Sequence, residues 1–265
     1  SSNLLKNRNE KDIDVENFRW TTFQASLALF KLGYLTFNLY VFRNYFKVFR
    51  HNTTHEVLLL AKEKVCIRQD GQLDGVNDIW DQNAIKTVLY IGDQKIIGHR
   101  IKPTGHVELT PTIFPLSDYK QVIKKNDYLL EIHIPPVKGY TLENVYDSFE
   151  KAKNFFQTYF ADYPVKGFWS LSWLYSPQLR ELLSSEESNI IRIQDAVHLV
   201  PLKVSDATAY FFLFHKQTIT PEEIKPTSIL LTRLKEYLLS GKRINCGGML
   251  FLLDDLPNFL SQIYK

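Results

Sequence analysis

Behind Thr141 the residues Leu142, Val145, Phe149, Ala152, Phe156 and Tyr159 recur at helical spacing. The pattern predicts about five turns of amphipathic helix with Thr141 as its N-cap. Strand patterns flank it on both sides. "YLLEIHI" (128–134) sets Leu130, Ile132 and Ile134 on one face, and "GFWSLSWLY" (167–175) reads as the next strand. Ser176 and Pro177, an N-cap followed by a proline at the first helical position, open a second helix in "PQLRELL". "NIIRI" (189–193), "AVHLVPL" (196–202) and "TAYFFLFHK" (208–216) read as strands, and a helix over 227–239 stops before Gly241. Residues 128–216 therefore run strand, helix, strand, helix and then strands alone. Short loops between the last strands make the sheet mixed rather than purely parallel, with helices layered on it.

The first half of the chain is β-rich. Residues 27–50 are dense in Phe, Tyr, Leu and Val, and "YLTFNLYVF" has a period near two. Further strands are expected at 56–61 and 64–68, with a turn at Asp70-Gly71 and a hairpin of 86–91 with 95–101 around Gly92-Asp93. "SDYKQVI" (117–123) reads as a short helix. The fold class expected is α+β, with layered α/β character. The division expected is a polar lead-in at 1–17, a β-rich portion at 18–116 and a sheet-and-helix domain at 117–265.

Composition narrows the function. Lys and Arg number 32 against 29 Asp and Glu, a formal net charge of +3. These charges are spread along the chain, without the concentrated basic footprint of nucleic-acid binding. No apolar run approaches the roughly 20 residues that span a bilayer, and "SSNLLKNRNEKD" lacks a signal-peptide core. A cytoplasmic location without membrane contact is the expectation. Cys66 and Cys246 have no CxxC or histidine partner nearby, so neither a disulfide framework nor a zinc site is suggested. His51 and His55 are four apart, but the extended Thr53-Thr54 between them argues against a helical metal motif. No metal is expected.

The strand at 128–134 carries a more specific signature. "LEIHIP" (130–135), "SFEKAKNFFQTYF" (148–160), "FWSLSWLYSPQLRELL" (168–183), "SNIIRI" (188–193) and "PTSILLTRLKEYLLSGKRINCGG" (226–248) resemble the C-terminal domain of the GNAT-like acyltransferase-domain family. "LFKLGYLTFNLY" (29–40), "VCIRQDGQLDG" (65–75) and "IIGHRIKPTGHV" (96–107) resemble the central portion of the same family. The resemblance covers about residues 18–250 and implies a GNAT-like mixed sheet. It also implies transfer of an acyl group from acetyl-CoA or another acyl-CoA, as co-substrate, to an amine. Members usually have a helical N-terminal domain, which this chain is expected to begin after and to take as a partner.

Such chemistry needs amides at a helix N-terminus for the pyrophosphate, a base for the amine and an acid for the thiolate. The glycine-rich Q/R-x-x-G-x-G/A cradle of typical GNAT enzymes is replaced here by "PPVKGYT" (135–141). Pro135 and Pro136 cannot donate hydrogen bonds. Lys138 and the amides of Gly139, Tyr140 and Thr141 are the candidates left for the cofactor. His133, sharing a face with Glu131, reads either as a general base or as a hydrogen-bonded core histidine. Ser172 reads as a substrate contact or a local backbone partner. Tyr175 falls near the region where many GNAT enzymes keep a tyrosine acid, and reads otherwise as a packed tyrosine. A degenerate scaffold that binds a small ligand or a protein without chemistry is the alternative function. A carbohydrate-binding module would account for the aromatic share of 14% but not for the α/β pattern after Ser117.

Overall fold

The computed structural model describes residues 29–43 and 45–264. The polar lead-in at 1–17, and residues 27 and 28 of the first predicted strand segment, lie outside the described residues. In the first half the strands are β1 (Phe30–Leu32), β2 (Leu35–Val41), β3 (Phe46–His51), β4 (Val57–Ala61), β5 (Cys66–Ile67), β6 (Ile85–Lys86), β7 (Leu89–Ile91), β8 (Lys95–Gly98), β9 (Arg100–Ile101), β10 (Thr112–Pro115) and β11 (Tyr119–Ile123). The second half continues with β12 (Tyr128–His133), helix α1 (Leu142–Tyr159), β13 (Val165–Ser172), α2 (Leu179–Leu182), α3 (Asn189–Ala196), β14 (His198–Pro201), α4 (Ala207–Phe214), α5 (Ile229–Leu239) and β15 (Gly247–Leu252). A 3-10 segment over Leu253–Ser261 follows.

Among the described residues, the largest sheet runs β1-β2-β12-β13-β15-β14. β12 and β13 are parallel, and every other pair in it is antiparallel. Helix α1 makes the crossover between the two parallel strands. It buries Leu142, Val145, Phe149, Ala152 and Phe156 as the spacing requires, while Tyr159 at its end is exposed. The Phe149 ring stacks on Phe168 of β13 with centroids 3.9 Å apart and planes 7° from parallel, and Phe37 of β2 meets Phe168 edge-on at 6.0 Å. A second sheet, β11-β3-β4-β9, packs into the same core through Val48, Leu59 and Ile101. Arg50 of β3 makes a double hydrogen bond, 2.8 Å on each arm, to Asp255 in the 3-10 segment, and Tyr264 donates to the same carboxylate.

Four elements differ from the sequence reading. Residues 119–123 are strand β11, not helix, because Tyr119–Ile123 complete the edge of β3 from Tyr119↔His51 to Ile123↔Val48. Only Leu116–Asp118 form a single 3-10 turn. Non-local pairing overrides the local helix tendency there. "NIIRI" is the body of helix α3, not a strand. The Ser188 hydroxyl caps it by accepting from the Ile190 amide, and Ile191 and Ile193 are buried within it. "TAYFFLFHK" is helix α4, not a strand. It is apolar all round and so offers no period to read, and His215 ends it in a left-handed conformation with φ 55°. The strand from Gly167 stops at Ser172, and Trp173–Tyr175 form a 3-10 turn.

The sequence reading assigns no element to strand β15. Its opening Gly247-Gly248 resembles a turn, yet the two glycines are what let it run through the sheet. A Cβ on Gly247 would lie 2.1 Å from the Tyr175 carbonyl oxygen, and one on Gly248 would lie 2.8 Å from the Trp169 ring.

His198 in β14 is 1% exposed, and burial pushes its imidazole down to about 4. An unfolded histidine titrates near 6.5, so between these values the unfolded chain binds a proton that the folded chain rejects. The stability contributed is complete above about pH 6.5 and lost as the pH falls toward 4, a change of roughly 3 kcal/mol. Urea denaturation across that window should show this loss, and His198→Phe should flatten the slope.

Candidate functional site

The parallel ladder between β12 and β13 pairs Leu130 with Phe168 and Glu131 with Trp169, and its register ends there. Past that point the ladder has no further residue pair. Ser170, 1% exposed, links the two strands one residue further on by donating from its hydroxyl to the Ile132 carbonyl at 3.0 Å. A buried carbonyl at a strand end needs such a partner. The Tyr175 hydroxyl lies beside Ser170 and accepts a hydrogen bond from the Tyr140 hydroxyl at 3.1 Å.

Local structure aims Tyr175 inward. The Ser172 hydroxyl accepts from the Leu174 amide at 3.2 Å and starts the 3-10 turn. Gln194 of α3, 1% exposed, donates through its amide to the Leu174 and Ser176 carbonyls at 2.9 and 3.1 Å. The turn is therefore clamped between a strand cap and a helix side chain, with the backbone of Gly247 against its carbonyl. Burial pushes the Tyr175 phenol up to about 12. Burial, and then the neighbouring Tyr175, raise Tyr140 well above its ordinary value. Both hydroxyls hold their protons at neutral pH.

His133 ends β12, on the face away from Ile132. Its Nε2 is 2.6 Å from the Asn38 Oδ1, and the Asn38 amide nitrogen donates to Glu131 Oε2 at 3.1 Å. Asn38 stands opposite Glu131 in the antiparallel β2–β12 pair, so three polar side chains meet on one face across two strands. Burial lowers the His133 pKa, and the Glu131 charge offsets part of that shift. The imidazole is neutral at pH 7. Beside this group, Tyr40 and Tyr45 stack on Trp169 with centroids 6.3 Å away in each case.

The loop from His133 to α1 is pinned from the turn between β1 and β2. Tyr34 donates its hydroxyl to the Val137 carbonyl at 2.7 Å. Gly139 sits over the Tyr34 ring at φ +120°, where a Cβ would be 3.0 Å from the ring. The Asn144 side chain and the Thr141 amide both donate to the Gly139 carbonyl at 2.8 Å. The Thr141 hydroxyl caps the helix through the Asn144 amide at 3.2 Å. The Glu143 carboxylate is held below its usual range, first by its own backbone amide, and Arg192 lies 3.3 Å from it. Lys138 is exposed.

Of the residues singled out from sequence, Tyr140 and Tyr175 are brought into contact, and His133 stands at the same strand end on the other face. The Ser172 hydroxyl is engaged as a cap, the Thr141 amide is engaged within the loop, and Lys138 and Gly139 belong to the strand-to-helix connection. Four partners went unrecognised in sequence: Tyr34, Asn38, Ser170 and Gln194. Asn38 alone left a trace, as an amide within the alternating apolar run of β2.

A family model of the GNAT-like C-terminal domain matches residues 29–250. Two solved structures share the fold. An acyltransferase in complex with decanoyl-CoA and teicoplanin is 17% identical with a TM-score of 0.52, over 88% of this chain and 49% of that one. An acyltransferase mutant in complex with octanoyl-CoA is 16% identical with a TM-score of 0.52 and the same coverage. The chain spans about half the length of these enzymes. No curated protein matches.

Ser170→Ala leaves the buried Ile132 carbonyl without its hydroxyl partner and should cost about 1–3 kcal/mol. Chemical denaturation monitored by tryptophan fluorescence checks this.

Proposed function

Because the chain belongs to the family of GNAT-like C-terminal domains, we propose that it carries out acyl transfer from an acyl-CoA to an amine at the end of the β12–β13 ladder. The observation that carries this reading is one strand end flanked by a neutral imidazole on one side and a protonated phenol pair on the other. The thioester carbonyl lies at that strand end, and the amine lone pair attacks it. As the C–N bond forms, His133 takes the amine proton. As the C–S bond breaks, Tyr175 gives its proton to the leaving thiolate, and Tyr140, hydrogen-bonded to it, steadies the resulting phenolate. Ser172 supports the turn that carries Tyr175 and takes no part in proton transfer.

The donor's pyrophosphate is assigned to Lys138 and the amides of Gly139 and Tyr140, with Thr141 contributing through the cap it makes on α1. The acceptor is a small amine and the location cytoplasmic. The boundary near residue 117 and the helical N-terminal partner belong to the same proposal. Among the described residues no helix is long and apolar enough to cross a membrane.

One observation favours the alternative of a scaffold that binds without chemistry. The α1 N-terminus is already served internally, by the Thr141 cap and by the Glu143 carboxylate, and an anion would have to displace or share that negative charge.

Calorimetric titration with acetyl-CoA and a longer acyl-CoA separates the two readings. Saturable heat that weakens roughly 10-fold in Lys138→Ala supports donor binding on this loop; no heat from a folded sample with either donor favours the scaffold. In a thiol-release assay against a panel of amines, His133→Ala should lower kcat roughly 100- to 10,000-fold, and Tyr175→Phe should lower it without changing donor affinity.

A further inference from the structure

We propose that Asn38 is the positioning residue of this site, holding His133 as the Nε2–H tautomer and joining it through a neutral amide to the Glu131 carboxylate. The inference rests on the reading of His133 as the base. The hydrogen bonds of the Asn38 side chain fix its orientation. Its amide nitrogen donates to Glu131 Oε2 at 3.1 Å and to the Leu39 carbonyl at 3.2 Å, and a carboxylate and a carbonyl only accept. The nitrogen therefore faces them, and the amide oxygen faces His133. An amide oxygen cannot donate, so the imidazole nitrogen 2.6 Å from it carries the proton. A neutral imidazole has one such proton, which leaves the lone pair on Nδ1.

Placement makes this bond hard to replace with water. Asn38 is 6% exposed and lies directly across the strand pair from Glu131, with His133 diagonal to it and opposite Thr36. Charged or titratable groups around the cluster include Glu131 on the same strand as His133, Tyr40 on β2, and Tyr45 and Arg43 beside Tyr40. The Glu131 charge acts on the imidazole. An amide between carboxylate and imidazole transmits orientation but accepts no proton. The base therefore keeps its depressed affinity for protons in the resting state, while the carboxylate behind the amide favours the imidazolium when it forms. A carboxylate at position 38 would instead lie directly on the imidazole and hold it charged.

Two-bond 1H–15N correlation spectra of the labelled full chain read the tautomer directly, without acyl-CoA, with His133 identified by the resonance missing in His133→Gln. The Nε2–H pattern is expected in the unmodified chain, and the Nδ1–H pattern would overturn the proposal. Asn38→Leu should convert the single tautomer to a mixture, and Asn38→Asp should raise the His133 pKa by at least one unit. An unchanged tautomer and pKa in both variants, each folded by circular dichroism, would also overturn it. If transfer is observed, Asn38→Leu should lower kcat with little change in donor KM and move the lower limb of the pH profile. A chain that shows the Nε2–H tautomer but neither binds nor uses acyl-CoA would refute the acyltransfer reading and leave the Asn38 assignment standing.

Discussion

The parallel pairing of β12 with β13 is the constraint on which the other features depend. Two adjacent parallel strands need a crossover, and α1 supplies it. The stack of Phe149 on Phe168 fastens that crossover to the sheet. The ladder then stops at Glu131 and Trp169, and Ser170, Tyr175 and His133 lie at or beside that end. Ser170 continues the link between the strands through a side chain, the tyrosine turn lies beside Ser170, and the loop to α1 follows directly from β12.

Legibility in the sequence followed the range of the interactions. Helix α1 could be read because its cap and stripe are local, and Thr141 caps Asn144 as the spacing implies. Strand β11 could not, since only its pairing with β3, some 70 residues upstream, makes it extended. Ile190, Ile191 and Ile193 favour strands individually, but the Ser188 cap and burial of one face make them helical. Strand β15 was hidden by its glycines, which answer to a steric demand from Tyr175 and Trp169 and not to a turn.

The site was legible in the same proportion. His133, Tyr140 and Tyr175 stand out as polar or hydroxylated residues at element ends. What each of them touches could not be read, because the partners come from distant strands and helices: Asn38 from β2 and Gln194 from α3. Ser172 and Ser170 share a strand face in the sequence, yet one caps a turn and the other bonds across to the Ile132 carbonyl of β12. Two residues of spacing separate those roles, and only the end of the ladder decides between them.

The seat of Tyr175 against Gly247 bears on how the molecule comes into being. β15 lies between β13 and β14 in space but follows both in the chain, and β2 joins β12 across some 90 residues. Contacts of such long range make for slow folding. During synthesis, the turn that presents the phenol has no floor until β15 has been made. A ribosome-bound intermediate would own the helix, the loop and the imidazole before it owned that floor.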